Sequence, residues 1–453
     1  MLFRFLFSIV ASCLGSAFVS ADSLPNIVVI LTDDQGYADI SFNLEHSKEV
    51  STPHMDALAE EGTFFTQAYT SGSVCSPTRA GLMLGQYQQR VGIYTAGDGG
   101  RGFDPKMLIF PGMLPDEYTS MAIGKWHLGL DNDYPELKWH AMSRGFDEAY
   151  KFMGRGGHDY FDSKGVNSDN YAPIYRNKAR IPRDKYEGYL TTRLSEEAVD
   201  FIDRQAARST GSGQVSPFFL YLAYNAVHTP AQAPEEDIEY YRKKFPELSE
   251  RRTILMAMLD HLDKGVGAVV NKLKEENVWE NTLLFFLTDN GGAKAMEADN
   301  GSLRDYKQSL YEGGIRTPWI VSWPAKFSGG RRIDTPIISL DVLPTVLDAI
   351  YGSDFDPTPF DGKSLLPLMR SDNAAHHRVL YWDSGDDKDE WAVRKGDWKL
   401  HSRKGKVSLF NLVDDESETR DLSKRNAEIV KDLAALYEAW LAEMVRSEKS
   451  MGR

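Results

Sequence analysis

Four short apolar runs, each followed by polar or charged residues, constrain the fold of this chain more than any other feature. Unbroken runs of this length, rich in β-branched and aromatic residues, are typical of strands buried on both faces of a parallel sheet. Segments with helical periodicity lie between them, including 194–202 and 254–273. Strands that alternate with helices predict an α/β fold. The four runs are Ile27–Leu31, Thr119–Ile123, Phe218–Ala223 and Leu283–Leu287.

The residues that follow two of these runs suit a metal ion. Asp33 and Asp34 come after the first run, and Asp289 and Asn290 come after the last. In parallel sheets the ligand site lies beyond the carboxyl ends of the strands. Three carboxylates and one amide oxygen are hard ligands, which favour Ca²⁺ or Mg²⁺. Strand ends are also polar simply because they reach solvent, so the spacing alone leaves both interpretations open.

The chain has only two cysteines, Cys13 and Cys75, so no disulfide scaffold holds it together. Pro77 and the apolar residues after it predict a helix that begins near Cys75, with proline in its first turn. A helix N-terminus favours an anion. A lone cysteine is usually an inert buried residue. The polar context and the nearby Arg79 favour a functional role here.

Composition and charge exclude several classes of protein. Hydrophobic residues make up 42% of the chain, which is too many for a disordered protein. A formal net charge of −14 argues against broad binding of nucleic acids or anionic membranes. No segment after the N-terminus is long and apolar enough to predict a membrane span.

The first 21 residues have the pattern of a cleaved secretory signal. Arg4 precedes an apolar run, and Val19-Ser20-Ala21 fits a small-residue cleavage site. We therefore expect a secreted or periplasmic protein. The residues that end at Cys13 also resemble a bacterial lipoprotein box, but the chain stays apolar after this cysteine, which makes lipid anchoring the less favoured option.

The segment Cys75–Arg79, which reads Cys-x-Pro-x-Arg, resembles the formylglycine signature of the type I sulfatases, a family of the alkaline phosphatase superfamily. The segment Tyr118–His127 is similar to the second family signature, and 303–318 resembles a further family block. The similarity runs in order from residue 26 to about residue 422. Leu84 and Glu117 depart from the usual family residues, but both only flank the motifs.

The resemblance implies a role for each matching residue. Cys75 would be oxidised by a formylglycine-generating maturation enzyme, and the hydrated aldehyde would be the nucleophile. Arg79 would hold that aldehyde, Asp289 would act as base, His228 would protonate the leaving alcohol, and His127 would deprotonate the second hydroxyl. The implied Ca²⁺ ligands are Asp33, Asp34, Asp289, Asn290 and the formylglycine made from Cys75, and the implied sulfate-binding residues are Lys125, His228 and Lys307.

The resemblance also implies an alkaline-phosphatase-like fold: a large mixed, mainly parallel sheet flanked by helices, with a smaller C-terminal part. Short strand-like runs between residues 379 and 411, followed by a helical stripe that includes Leu433 and Trp440, predict a small antiparallel sheet plus a helix. The expected division is a signal peptide at 1–21, a catalytic α/β domain at 22–355 and a C-terminal α+β subdomain at 356–453.

The leading hypothesis is a sulfuric ester hydrolase that acts on a sulfated carbohydrate or an aryl sulfate. Two alternatives stay open: a phosphate or phosphonate ester hydrolase of the same superfamily, and a non-catalytic glycan-binding relative with an unmodified Cys75. The glycine-rich segment 97–102 and the acidic run 383–390 are interpreted as a flexible loop and a solvated loop.

Overall fold

A large mixed sheet forms the centre of the structure, a computed structural model that describes residues 24–152, 158–161, 173–208, 216–371, 374–377, 379–385 and 388–450. The predicted signal segment and Cys13 lie outside these residues. The first eight strands are β1 (Asn26–Thr32), β2 (Thr63–Phe65), β3 (Ala68–Tyr69), β4 (Thr119–Lys125), β5 (Glu148–Phe152), β6 (Ile174–Arg176), β7 (Ala179–Arg180) and β8 (Phe218–Ala223). The remaining strands are β9 (Thr282–Thr288), β10 (Trp319–Ser322), β11 (Arg331–Ile333), β12 (Ile337–Ile338), β13 (Val379–Asp383), β14 (Glu390–Lys395), β15 (Trp398–Arg403) and β16 (Lys406–Asn411).

Ten strands pair in the order β11-β2-β10-β9-β1-β8-β4-β5-β6-β7. The central strands β9, β1, β8, β4 and β5 are parallel, whereas β10 and β6 pair antiparallel with their neighbours. The four predicted strands are therefore neighbours at the centre of the sheet, with the predicted bounds or one or two residues longer at an end. The predicted α/β fold with a mixed, mainly parallel sheet is confirmed.

Both faces of the sheet are covered, as continuous apolar runs predict. Along β1, Val28 and Ile30 belong to one core cluster, and Val29 and Leu31 belong to the other. The helices are α1 (Pro53–Glu61), α2 (Cys75–Leu84), α3 (Leu190–Ala206), α4 (Glu235–Lys244), α5 (Glu250–Glu275), α6 (Glu312–Ile315), α7 (Val342–Tyr351), α8 (Leu366–Arg370) and α9 (Ala427–Ser450). Residues of α1, α3, α4 and α5 belong to the first cluster, and residues of α2, α7 and α8 belong to the second.

The predicted C-terminal sheet is present as the antiparallel order β13-β14-β15-β16, and α9 packs on it. Its apolar cluster also contains Tyr69, Leu310 and Ile315 from the part of the chain that precedes it. Leu366 of α8, by contrast, packs in a core cluster of the large sheet. The boundary between residues 355 and 356 stays a prediction. Among the described residues, none of the helices has the length and apolarity that crossing a bilayer requires.

A buried ionic cluster joins the small sheet to the large one. Lys399 Nζ of β15 lies 2.8 Å from Glu312 Oε1 and 3.0 Å from Glu418 Oε1, and all three side chains are buried. The Glu312 backbone N–H also donates to Glu418 Oε2 at 2.7 Å. Burial, opposed by Lys399, raises the pKa of Glu418 to about 7, so this carboxyl holds a proton more tightly than an exposed one.

We expect Lys399→Met to destabilise the protein strongly, because the substitution removes the cation nearest to two buried carboxyl groups. Breaking a buried ion pair by removing one partner costs about 3–5 kcal/mol of unfolding free energy. Glu418→Gln is the matched control, since glutamine keeps an acceptor and leaves the Lys399–Glu312 pair intact. Urea unfolding of both variants would measure the difference. Equal loss in the two variants would contradict this account.

Glu418 also predicts a pH effect on stability. Its pKa rises from 4.5 to about 7 on folding, so between these values the folded state binds a proton that the unfolded state releases. The contribution of Glu418 to stability therefore falls as pH rises through this window. Thermal unfolding midpoints from pH 4.5 to 8 should fall less with pH in Glu418→Gln than in the wild type. An equal fall of the midpoint with pH in the wild type and in Glu418→Gln would show that Glu418 does not cause the pH dependence.

Candidate active site

The carboxyl ends of the central strands place the predicted site residues at one edge of the sheet. Asp33 and Asp34 follow β1, and Asp289 and Asn290 follow β9, its parallel neighbour. The strands β4 and β8 bring further residues to the same edge: β4 ends at Lys125, just before His127, and β8 leads to His228. Adjacent parallel strands end at one edge of a sheet, which explains why residues 256 positions apart in the chain, Asp34 and Asn290, are in contact.

Cys75 is the first residue of α2 and lies among these strand ends. Its Sγ atom is 3.3 Å from Lys125 Nζ, 3.4 Å from Lys307 Nζ and 3.7 Å from Asp33 Oδ1. Burial, together with the charge of Asp33, raises the pKa of the Cys75 thiol to about 12, although both lysines oppose the shift. The thiol is therefore protonated at neutral pH, and this cysteine is poorly suited to act as a thiolate nucleophile.

Arg79 lies one turn further along α2 and binds the carboxylates. Its Nε and Nη2 atoms donate to Asp289 Oδ2 at 2.9 and 2.7 Å, and Nη2 also lies 3.4 Å from Asp33 Oδ2. Its Nη1 donates to the Lys125 carbonyl at 2.8 Å. Burial opposes the charge, but the carboxylates, Asp289 foremost, keep the pKa of Arg79 above its usual value. A fixed guanidinium therefore links α2 to three strand ends.

Two lysines complete the cationic side of the site. Lys125 Nζ donates to Asp33 Oδ2, and Lys307 Nζ lies 2.7 Å from Asp34 Oδ1. Burial raises the pKa of Asp33, but the cations around it, Lys125 foremost, outweigh burial and hold that pKa well below the usual range. Both lysines contact the Cys75 sulfur as well, so an anion bound at this sulfur would meet two ammonium groups.

The two histidines differ in their contacts. His127 is 1% exposed, and neither ring nitrogen has a hydrogen-bond partner within the described part of the chain. Burial and the nearby Lys125 hold its pKa well below the usual value. The Nδ1 atom of His228 lies 2.7 Å from the Thr229 carbonyl, which leaves Nε2 to face Asp34 at 3.7 Å. Burial also lowers the pKa of His228.

Two oxygen atoms at this edge of the sheet fit a bound cation. Asp289 Oδ1 and Asn290 Oδ1 are buried, and neither has a hydrogen-bond partner among the described residues. A buried polar atom without a partner is costly, so such atoms call for an explanation such as a bound ion. Ligand atoms of Asp33, Asp34, Cys75 and His228 also lie within 4.8 Å of one another. The oxygen-rich donor set matches the preference of Ca²⁺ or Mg²⁺.

Local backbone conformations aim several of these side chains. Asp34, His127 and Gln308 have positive φ angles of 62°, 57° and 78°, which non-glycine residues seldom adopt. Gln308 follows Lys307, and its backbone N–H donates to the Ser73 carbonyl at 2.8 Å, beside Cys75. Such conformations persist only where the surrounding structure fixes them, and they cluster at active sites.

Sequence reasoning missed two residues that support this site. Ser76 Oγ donates to the His127 carbonyl at 2.9 Å and so joins α2 to the end of β4. Tyr221 lies within β8 beside Arg79, and burial raises the pKa of its hydroxyl to about 12. The only signal in the sequence for Tyr221 is a hydroxyl in an otherwise apolar strand. All the predicted site residues do meet at one edge of the sheet; their individual roles stay predictions.

Two family models match this chain. The sulfatase model matches residues 25–353, and the model of the C-terminal part of N-sulphoglucosamine sulphohydrolase matches residues 304–443. The first match covers the chain from β1 to β12, and every residue of the site described above lies within the matched range. The second covers the small antiparallel sheet and most of α9.

Individual relatives agree with the family models. The chain is 31% identical over 419 residues to N-acetylgalactosamine-6-sulfatase of Mus musculus, which covers 87% of this chain and 75% of that protein. It is 30% identical over 408 residues to the uncharacterized sulfatase YdeN of Escherichia coli (strain K12), covering 80% and 69%. The crystal structure of Ps i-CgsB in complex with k-i-k-neocarrahexaose has a TM-score of 0.82 at 34% identity, covering 92% of this chain and 93% of that one. The chain therefore belongs to the sulfatase family, and it is an enzyme that hydrolyses sulfate esters.

Proposed function

We propose that the protein removes sulfate from a sulfated carbohydrate, with Ca²⁺ and a formylglycine made from Cys75. The observation that carries this proposal is the position of the Cys75 sulfur, 3.3 and 3.4 Å from two lysine ammonium groups and 3.7 Å from Asp33. A nucleophile at this position would attack an anion that is already held by cations. A buried thiol that stays protonated is itself a poor nucleophile, which agrees with a nucleophile made from Cys75 by oxidation.

The sulfate group would be held by three cationic or protonatable side chains. Lys125 approaches the Cys75 sulfur from the end of β4, and Lys307 approaches it from the segment between β9 and α6. His228 lies beyond Asp34 with Nε2 turned toward it. Fixed charges aimed at a transferring group stabilise its transition state without the cost of reorganising solvent. The burial of these groups strengthens each interaction because the local dielectric is low.

Asp33, Asp34, Asp289 and Asn290 would hold the Ca²⁺ ion. When bound, the ion supplies Lewis-acid stabilisation of oxygen atoms that carry negative charge. Asp289 Oδ1 and Asn290 Oδ1, which have no hydrogen-bond partner in the part of the chain that the structure describes, support this assignment. Arg79 would keep Asp289 in place through its two bonds to Oδ2, which leaves Oδ1 available.

The hydrated formylglycine supplies a hydroxyl nucleophile. Asp289 would accept the proton of this hydroxyl, and His228 would donate a proton from Nε2 to the departing alcohol oxygen. A bound sulfate ester raises the proton affinity of His228, which opposes the effect of burial on its pKa. His127, whose ring nitrogens have no hydrogen-bond partner among the described residues, would accept the proton of the second hydroxyl when sulfate leaves.

The relatives support a carbohydrate as the substrate. One is an N-acetylgalactosamine-6-sulfatase, and another was crystallised in complex with k-i-k-neocarrahexaose. The predicted signal at 1–21 agrees with a polymer or oligosaccharide met outside the cytoplasm. We also propose that a formylglycine-generating maturation enzyme is a partner of this chain and that the division at residue 355 separates a catalytic domain from its C-terminal subdomain.

We expect Cys75→Ala to abolish sulfate release, with a loss of about a thousandfold or more, because no side chain then supplies the nucleophile. Sulfate release from a panel of sulfated saccharides and an aryl sulfate, with an aryl phosphate in parallel, would measure the loss. In the wild type, the Cys75 peptide should react with a carbonyl reagent and show the aldehyde by mass spectrometry. Wild-type turnover in the folded variant would refute the proposed nucleophile.

We expect Ca²⁺ to raise the thermal unfolding midpoint, since the ion offsets three buried carboxylates. A ligand at about 100 times its dissociation constant stabilises the folded state by about 2.7 kcal/mol. Asn290→Leu should reduce this Ca²⁺-dependent shift, whereas Asn277→Leu, on the exposed turn after α5, should not change it. Differential scanning calorimetry after treatment with a chelator, with and without added Ca²⁺, would detect both effects. A midpoint that does not respond to Ca²⁺ would oppose the metal assignment.

A further inference from the structure

A large cleft lies between the segment that follows α2 and the C-terminal sheet, and we call it the side cleft. Its volume is about 1010 Å³, at the upper end of the range of about 300–1,000 Å³ for pockets that hold drug-sized ligands. Tyr94, Asp98 and Arg101 line one wall. Asp383, Asp389, Glu390 and Trp391 line the other wall, and the lining also includes Tyr437, Leu441 and Val445 of α9.

The first wall is fixed to residues next to the proposed nucleophile. Gly99 packs so closely on Ser76, the residue after Cys75, that any side chain at position 99 would collide with it. The Gly99 carbonyl also accepts a hydrogen bond from Gly129 N at 2.6 Å, just after the His127 segment. This wall therefore begins directly beside the reaction centre.

The second wall is fixed to the segment that carries Lys307. Glu390 is 3% exposed, and its Oε1 accepts from the backbone N–H of Leu310 at 3.0 Å. Its Oε1 also lies 2.8 Å from His401 Nε2, which holds the carboxylate in place. The walls approach each other where Gly385 lies against Tyr94. The two walls of the side cleft are thus tied to the elements that carry Cys75 and Lys307. Glu390 is buried and is not part of a solvated loop.

The lining combines aromatic rings with an excess of negative charge. Four carboxylates and one guanidinium line the cleft. The guanidinium of Arg101 is paired with Asp98, and Glu390 Oε2 lies 3.8 Å from Arg403 Nε. The charges of Asp98 and Glu390 are therefore compensated, and the excess of negative charge rests mainly on the exposed Asp389. Trp391 stacks on Tyr437 with 4.1 Å between ring centroids, and Tyr437 donates to Asp383 Oδ2 at 2.6 Å. Aromatic rings and carboxylate acceptors suit a sugar, which offers apolar faces and many hydroxyl donors.

We propose that the side cleft binds the sugar unit that adjoins the sulfated one, and that its carboxylates select a neutral unit over one that carries sulfate or carboxylate. This inference rests on the proposed function, since it requires a saccharide whose sulfate lies beside Cys75. The enzyme would then use cations to bind the sulfate that is removed and carboxylates to repel a second anionic group on the adjoining sugar. Like charges placed together across an interface suppress the wrong partner more than they alter the binding of the right one.

The substrates for the test come from a panel of monosulfated hexoses and N-acetylhexosamines. The unit that is desulfated fastest is then extended with galactose, with galactose 6-sulfate or with glucuronic acid. We expect kcat/KM for the galactose extension to exceed that for either anionic extension by about tenfold or more at low salt. The ratio should shrink in about 1 M salt, where the Debye length is only about 3 Å.

Asp389→Asn tests the origin of this preference. Asp389 is exposed in the turn between β13 and β14, and asparagine tolerates its positive φ of 46°. We expect the neutral-to-anionic ratio to fall by about two- to fourfold, with little change for the unextended sugar. Asp116→Asn is the matched control, because Asp116 is an exposed carboxylate before β4, at the opposite edge of the sheet from the site.

The possible results distinguish a failure of this inference from a failure of the proposed function. No desulfation of any sugar in the panel would overturn the carbohydrate assignment and, with it, this inference. Desulfation of the unextended sugar with equal rates for the neutral and anionic extensions would overturn the inference alone. An equal change of the ratio in Asp389→Asn and Asp116→Asn would show that the side cleft does not cause the preference.

Discussion

Mutual neutralisation of buried charges at one edge of the sheet is the constraint on which the rest of the structure depends. Three buried carboxylates, Asp33, Asp34 and Asp289, meet the cations Arg79, Lys125 and Lys307 where solvent is excluded. An uncompensated buried charge costs several kcal/mol, so no member of this group can be removed without penalty to the others. The group also draws α2, three strand ends and the Lys307 segment to one place, where we propose that the sulfate ester is bound and cleaved.

The C-terminal sheet contributes to this arrangement although it supplies none of the proposed site residues. Glu390 binds the backbone of Leu310, and Glu418 binds the backbone of Glu312, so two buried carboxylates from the C-terminal part hold the segment just after Lys307. Lys399 in turn compensates Glu418 and Glu312. The small sheet therefore both forms a wall of the side cleft and fixes the position of Lys307, one of the two lysines proposed to bind sulfate.

The central strands and the residues at their ends were predictable from the sequence, because unbroken apolar runs have few alternatives to buried strands. The runs could not reveal the strand order, and the short strands β11, β2 and β10 at one side of the sheet lack a distinctive pattern. Ser76 and Tyr221 escaped notice because their roles arise from contacts between elements distant in the chain. The acidic run 383–390 looked like a solvated loop, since only the folded structure brings it opposite Tyr94.

The burial of Cys75 has a consequence for the order of events during synthesis. The side chain is 2% exposed, and every residue of α2 around it is buried. The proposed maturation enzyme would therefore have to reach this thiol before α2 packs onto the sheet. Oxidation and folding would then compete in time, and molecules that fold first would remain permanently inactive. The fraction of active enzyme in a preparation would then reflect the ratio of the oxidation rate to the folding rate. A stable fold would prevent later oxidation of the molecules that folded first.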